Sequence, residues 1–293
     1  MSDRLIRGTF PQHQIRFAAC QTAALCSDAI RRHQADWLSG WLLSEALTCA
    51  ALLSVQLKDA ERLTLRWLYP GPIGTILADI GGQGLVRGFP QRLRLMPEVT
   101  TLADAIGAGE GRVTATSTLG EKMGPTGIVP APFGDVTRDL AHLMSLSFQV
   151  ETALAVGLIV PPSEPIGLVS ALGVLLQPLP GGDLEAFDAV RRAVERPDFR
   201  RWLESAPRAP EEALAHVGLG KPVTLAETRP AYRCRCSREK VERVLRMLER
   251  DELTDMITRD AGAEVNCHFC ATAYRFSKTD LEGLLRQSQS GHA

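Results

Sequence analysis

Four cysteines of this chain stand in two close pairs, Cys234-x-Cys236 and Cys267-x-x-Cys270, separated by 30 residues. Pairs so spaced can bring four sulfurs to one point, and the segment carrying them must fold around that point. Four sulfurs favour Zn²⁺, which takes thiolates tetrahedrally at roughly 2.3 Å and fills all its positions in a structural site. One ion per chain, held by Cys234, Cys236, Cys267 and Cys270, is therefore expected. A site closed in this way leaves no room for substrate. His268, inside the second pair, reads as a residue beside the site rather than as a fifth ligand.

The stretch between the pairs reads as helical. Ser237 is a candidate N-cap, and Val241, Val244, Leu245 and Leu248 recur at the spacing of one helix face. Leu253, Met256 and Ile257 continue a second short stripe, residues 273–276 alternate as a strand does, and residues 280–285 suit a last short helix. A unit this small has little core, so metal binding is expected to supply much of its folding free energy, on the order of 10 to 16 kcal/mol.

The remaining residues describe an ordinary globular protein, with 45% apolar and 23% charged residues over 293 positions. The start carries no apolar stretch of a secretory signal, so a cytoplasmic, reducing setting is expected. There, closely spaced cysteines are metal-binding or redox-active rather than structural disulfides. Cys20, Cys26 and Cys49 read as buried, inert thiols. Residues 36–57 are apolar nearly all round, yet Glu45 near the middle would be costly in hydrocarbon, so a helix buried in a large domain is expected and no membrane partner. Net charge is −1, and residues 232–293 carry eleven Lys/Arg against ten Asp/Glu, leaving no basic footprint for nucleic acid.

From residue 62 onward the pattern turns to strands. Residues 63–69, 73–80 and 85–87 read as an antiparallel meander, with further strands at 112–119, 152–160 and 167–177. Residues 135–150 read as an amphipathic helix capped by Asp135. The glycine clusters at 81–84 and 107–111 lack phosphate-loop spacing and are assigned to hairpin turns. His13, His33, His142 and His216 are scattered, with no nucleophile motif near them, so no enzyme is expected. The expected class is α+β. It comprises a large N-terminal domain of antiparallel sheet packed with helices (1–179), a metastable and largely helical linker (180–231), and a small C-terminal four-cysteine zinc module (232–293). In the linker, prolines interrupt short helical stretches such as 184–194, and Leu184, Phe187, Val190, Phe199, Trp202 and Leu203 form an apolar face that must be buried or exposed on demand.

Two other readings stand beside a metal-gated switch. A constitutive zinc-ribbon adaptor would bind nucleic acid or protein. A thiol-disulfide oxidoreductase would use Cys267-x-x-Cys270, although that motif normally opens a helix, and a strand is expected here.

Residues 232–239 with their CxC pair, the CxxC pair at 267–270, and the aromatic Tyr274 and Phe276 resemble the heat shock protein 33 family. Residues 171–180 resemble the end of that family's N-terminal domain. The chain departs from the family pattern at Ala19, Cys20, Gln21 and Thr22 and at Phe148, positions that bear on dimer or client contacts of an N-terminal surface.

The resemblance implies an ATP-independent holdase, zinc-bound and inactive when reduced. On oxidation it forms disulfides, releases zinc and binds unfolding client proteins, the active form being a homodimer. The implied disulfides join Cys234 with Cys236 and Cys267 with Cys270. Such chemistry is open to zinc-bound thiolates, which peroxide takes to sulfenic acid before a neighbouring thiol closes the bond.

Overall fold

The structure is a computed structural model and describes residues 2–58, 60–120, 122–161 and 166–289. The chain forms two compact units, Met1–Arg233 and Cys234–Ala293. In chain order the first unit holds β1 (Arg4–Phe10), β2 (Ile15–Gln21), α1 (Ala23–His33), α2 (Trp37–Ser54), β3 (Glu61–Leu68), β4 (Thr75–Gly81) and β5 (Leu85–Pro90). It continues with α3 (Leu102–Ile106), β6 (Gly111–Leu119), β7 (Lys122–Ala131), α4 (Val136–Ser147), β8 (Ala153–Ile159) and β9 (Ser170–Pro178). It ends with α5 (Leu184–Val194), α6 (Pro197–Ser205), α7 (Pro210–His216), β10 (Val223–Thr228) and β11 (Ala231–Tyr232).

Two sheets build this α+β unit. One has the order β10-β1-β2-β9-β8, antiparallel throughout, and the other β11-β5-β4-β3-β6-β7, antiparallel except for the parallel pair β11/β5. The expected meander is β3-β4-β5. The glycines at 81–84 make its second turn, whereas those at 107–111 connect α3 to β6, because Gly107 (φ 77°) closes a helix rather than a hairpin.

Helix α2 fills the principal core. Asp36 caps it by accepting from the Ser39 N–H at 2.8 Å. With apolar residues all round it is buried on every side, as the pattern predicts. It is long and apolar enough to cross a membrane, and 89% of it is buried within the protein.

The five-stranded sheet is covered on both faces, which is why β2 and β9 read as continuous apolar runs rather than alternating ones. Ala18, Cys20, Ala171 and Leu175 join the core around α2. Phe17, Ala19, Leu172, Val174 and Leu176 point the other way, into a second core completed by Phe187, Val190, Phe199, Leu203 and Leu214 of α5, α6 and α7. Gly157 on β8 is needed for this cover, since a Cβ there would lie 2.4 Å from the Leu203 Cβ.

Residues 180–231 thus carry three helices, strand β10 and the first residue of β11. Pro197 and Pro210 begin α6 and α7 rather than interrupting them, because a first-turn residue needs no N–H partner. Strand β10 extends the sheet along β1. Leu184 alone of the expected apolar face is exposed, and the Trp202 ring is stacked on His216 at 3.9 Å. The departures at residues 19–22 lie in the interior, all four being buried, so they mark core packing and not a surface. Phe148 is exposed at the end of α4.

The second unit comprises α8 (Arg238–Leu245), α9 (Arg250–Thr258), the hairpin β12 (Gly262–Asn266) and β13 (Ala273–Ser277), and α10 (Lys278–Gln289). Ser237 caps α8, accepting from the Lys240 N–H. Its core is small: Leu245, Leu253, Ile257, Phe276, Leu281 and Leu284. Val244 of the expected stripe is exposed instead.

Candidate metal centre

Cys234 and Cys236 lie on the irregular segment that follows β11, and Cys267 and Cys270 on the turn joining β12 to β13. The hairpin register, Asn266 opposite Ala273, closes that turn. Ala271 (φ 55°) reverses the chain, its N–H donating to the Cys267 carbonyl at 2.8 Å, while the Cys267 N–H reaches Thr272 O at 3.0 Å. The backbone N–H groups of Phe269 and Cys270 turn towards the Cys267 sulfur. The turn geometry therefore presents sulfur and N–H donors to one side.

The four sulfurs lie within 4.8 Å of one another. The Cys234–Cys267 sulfurs are 3.7 Å apart and the Cys236–Cys270 sulfurs 3.4 Å. A tetrahedron with metal–sulfur bonds of roughly 2.3 Å has edges of about 3.8 Å, so the arrangement suits one tetrahedral ion, and an all-sulfur donor set suits zinc. His268 is exposed and is not part of the cluster.

Two neighbours escaped the sequence reading as sulfur partners. The Tyr274 hydroxyl donates to the Cys236 sulfur at 3.0 Å, and the Cys270 thiol lies 3.2 Å from the Thr272 hydroxyl oxygen. Tyr274 was legible only as an aromatic on a strand; its side chain turns to the sulfurs because β13 runs straight out of the CxxC turn. Burial pushes the Cys267 thiol up to about 12 and raises Cys236 as well. Burial thus disfavours the thiolate form at Cys267 and Cys236, and a cation beside them would favour it.

The other cysteines are walled off from such chemistry. Cys20, Cys26 and Cys49 are fully buried, and burial raises all three thiols, Cys26 to about 12. The sequence reading of inert thiols agrees with that environment.

Fold and site together define a class: a two-unit α+β protein whose small C-terminal unit is organised about four cysteines. A family model described as Hsp33 protein matches residues 3–277. A 33 kDa chaperonin of Desulforamulus reducens is 31% identical over 291 residues, covering 98% of both chains. One from Geobacillus sp. is 32% identical over 298 residues, covering 99% of both. The crystal structure of the 33 kDa chaperonin (heat shock protein 33 homolog) from Thermotoga maritima superposes with a TM-score of 0.86 at 27% identity, over 99% of this chain and 100% of that one. The chain belongs to the Hsp33 family of chaperones.

Proposed function

We propose that this chaperone is a redox-regulated, ATP-independent holdase of the cytoplasm, held inactive by one zinc ion on Cys234, Cys236, Cys267 and Cys270. The observation that carries the reading is the convergence of four sulfurs within 4.8 Å in a unit whose core buries only six apolar side chains of one cluster among the described residues. When bound, zinc keeps the sulfurs as thiolates and ties residues 234–236 to the 267–270 turn.

Peroxide oxidises one thiolate of a pair to sulfenic acid, its O–O bond breaking and one oxygen leaving as water. The second thiol then attacks that sulfur, closing a disulfide and expelling a second water. Pairing of Cys234 with Cys236 and of Cys267 with Cys270 suits the switch, although the crossed sulfurs Cys234–Cys267 and Cys236–Cys270 are also close, at 3.7 and 3.4 Å. Crossed bonds would close loops of more than thirty residues and staple the unit, whereas local bonds close very short ones and leave it free to unfold.

Once the sulfurs are disulfides they give up the metal, and the C-terminal unit loses its organising point. One residue separates Cys234 from β11, which is only two residues long, so loss of the C-terminal unit frees the chain beyond β11 and leaves residues 180–231 held by their own docking alone. Loss of α5–α7 would uncover the apolar sheet face of Phe17, Leu172, Val174 and Leu176 together with the apolar side of the helices. Such surfaces bind unfolding proteins with little sequence preference. The active form is read as a homodimer. Neither nucleic acid nor membrane is a partner in this reading, and no residue is catalytic.

The test is light scattering from a heat-unfolding client, with zinc-loaded reduced protein compared with peroxide-treated protein while a chromogenic chelator records zinc. Suppression of aggregation only after oxidation, with zinc lost, is expected. Zinc retained under oxidant, or no suppression by either form, would favour the constitutive zinc adaptor instead.

A further inference from the structure

Glu45 sits midway along α2 and is 2% exposed. Its Oε1 accepts from the Thr137 hydroxyl of α4 at 2.6 Å. A single hydroxyl does not neutralise a buried carboxylate, which needs a cation as well. The cation facing it belongs to α6. Arg200 Nη2 lies 3.5 Å from Glu45 Oε1, while Nη1 reaches Asp135 Oδ2 at 3.0 Å and Nε reaches Glu204 Oε1 at 3.0 Å. Asp135 and Glu204 are partly solvated, but Glu45 is not. Burial, then the negative charge of Asp135, push the Glu45 carboxyl up to about 7 against the pull of Arg200, so the docked charge is only narrowly compensated.

We propose that Arg200 is a latch, carrying on linker helix α6 the counter-charge of the acid buried in α2, so that docking of residues 180–231 is coupled to dehydration of Glu45 and their release to its hydration. This rests on the reading of residues 180–231 as the releasable segment. Two features place Arg200 where it can act. Gly157 lets α6 approach β8 closely, and Phe199 and Leu203, one residue before and three after, are buried on either side of it.

A buried ion pair loses much of its Coulomb gain to desolvation, so it fixes where the helix docks without holding it tightly. When α6 lifts, water reaches Glu45 and offsets part of the cost of uncovering the apolar face. A wholly apolar contact would lack this offset and would hold the linker more firmly.

Hydrogen exchange of the reduced, zinc-loaded full chain tests the latch. Arg200→Met leaves Glu45 without its cation. Exchange of the α6 amides is expected to accelerate about tenfold or more, with the α2 amides still protected. Adding Glu45→Gln keeps an acceptor for Thr137 but removes the charge, and is expected to bring α6 exchange back to within about threefold of the original. If Arg200→Met leaves α6 unchanged, or Glu45→Gln adds to the loosening instead of reversing it, the latch is overturned. Arg200→Lys keeps the charge but cannot span three carboxylates. Should Arg200→Met not be recovered folded, Arg200→Lys is expected to accelerate exchange by a smaller factor, and an unchanged rate overturns the latch. Exchange does not depend on client binding, so failure of the holdase reading shows only in light scattering and failure of the latch only here.

Discussion

Gly157→Ala should loosen the linker without touching a cysteine. An ideal Cβ at this position lies 2.4 Å from Leu203 Cβ, 3.1 Å from Leu203 C and 3.3 Å from Glu204 Cγ. Non-bonded carbons rest at about 3.5 to 4.0 Å, so α6 must move outward by about 1 Å or more. Neither Leu203 atom is the far end of a flexible side chain, and β8 is fixed by its pairing with β9, Gly157 standing opposite Leu172. Overpacking of this kind costs about 1 to 3 kcal/mol. Any gain from a stiffer unfolded chain applies equally to docked and undocked forms with β8 intact, and so cancels in the docking equilibrium. The undocked population should therefore rise roughly 5- to 150-fold. Hydrogen exchange of the reduced, zinc-loaded variant should show faster amides over α6, and light scattering should show partial suppression of client aggregation without oxidant. Exchange and scattering both identical to the parent protein would refute the seating of α6 on Gly157 as the control of exposure. Faster exchange with no suppression would refute the covered sheet face as the client surface.

The other predictions concern the sulfurs and the buried acid. Cys267→Ser replaces one of four thiolate ligands. If the folding term of about 10 to 16 kcal/mol is shared among four, zinc affinity falls roughly hundredfold or more in chelator competition, and unchanged affinity would remove Cys267 from the ligand set. Tyr274→Phe deletes the hydrogen bond to Cys236 and should weaken zinc by about tenfold while raising the alkylation rate of Cys236 relative to Cys270. Peptide mapping of the oxidised protein under non-reducing conditions should find Cys234–Cys236 and Cys267–Cys270, and crossed bonds would contradict release by unfolding. Glu45 is moved from an ordinary 4.5 up to about 7, so the native protein keeps a proton that the unfolded chain gives up in that window. Its contribution to stability is complete below 4.5 and is lost as pH rises through 7, by up to about 1.4 kcal/mol per pH unit. Glu45→Gln removes that loss, and denaturant unfolding from about pH 5 to 8 should show a flatter profile for the variant than for the parent.

Local signals were legible wherever a single element decides its own conformation. Asp135 and Ser237 act as caps because each offers an acceptor to the N–H three positions on. The CxC and CxxC pairs announced their own convergence, since sulfur donors so close in sequence have one economical use. What sequence could not disclose was tertiary. Strand β10 hides in a proline-rich, charged stretch because its partner β1 is more than 200 residues away, and pairing at that distance leaves no local periodicity. The burial of residues 19–22 depends on β2 being covered on both faces. Glu45 was visible as an anomaly in an apolar helix, but the guanidinium that accounts for it comes from a segment 155 positions later, where nothing distinguishes Arg200 from its neighbours Arg196 and Arg201.

The ties between residues 184–228 and the rest of the first unit are unequal, and the inequality locates where release begins. Helices of nine and seven residues, as α6 and α7 are, are too short to persist in water, so their helicity depends on docking and undocking amounts to melting. At the far end Arg4 joins Glu211 at 2.7 Å and Glu227 at 2.8 Å, but all three side chains are about a third or more exposed, and exposed pairs contribute about 0 to 1 kcal/mol each. That end is held chiefly by the backbone pairing of β10 with β1, which needs no side chain. At α6 the attachment is Leu203 against Gly157 together with a charge pair whose dehydration opposes its own attraction. Those contacts form a tightly fitted but weakly bonded seat, so α6 should be the first element to leave and β10 the last. A segment held firmly at one end and lightly in the middle can uncover the sheet face and then re-form over it, which a reversible chaperone requires.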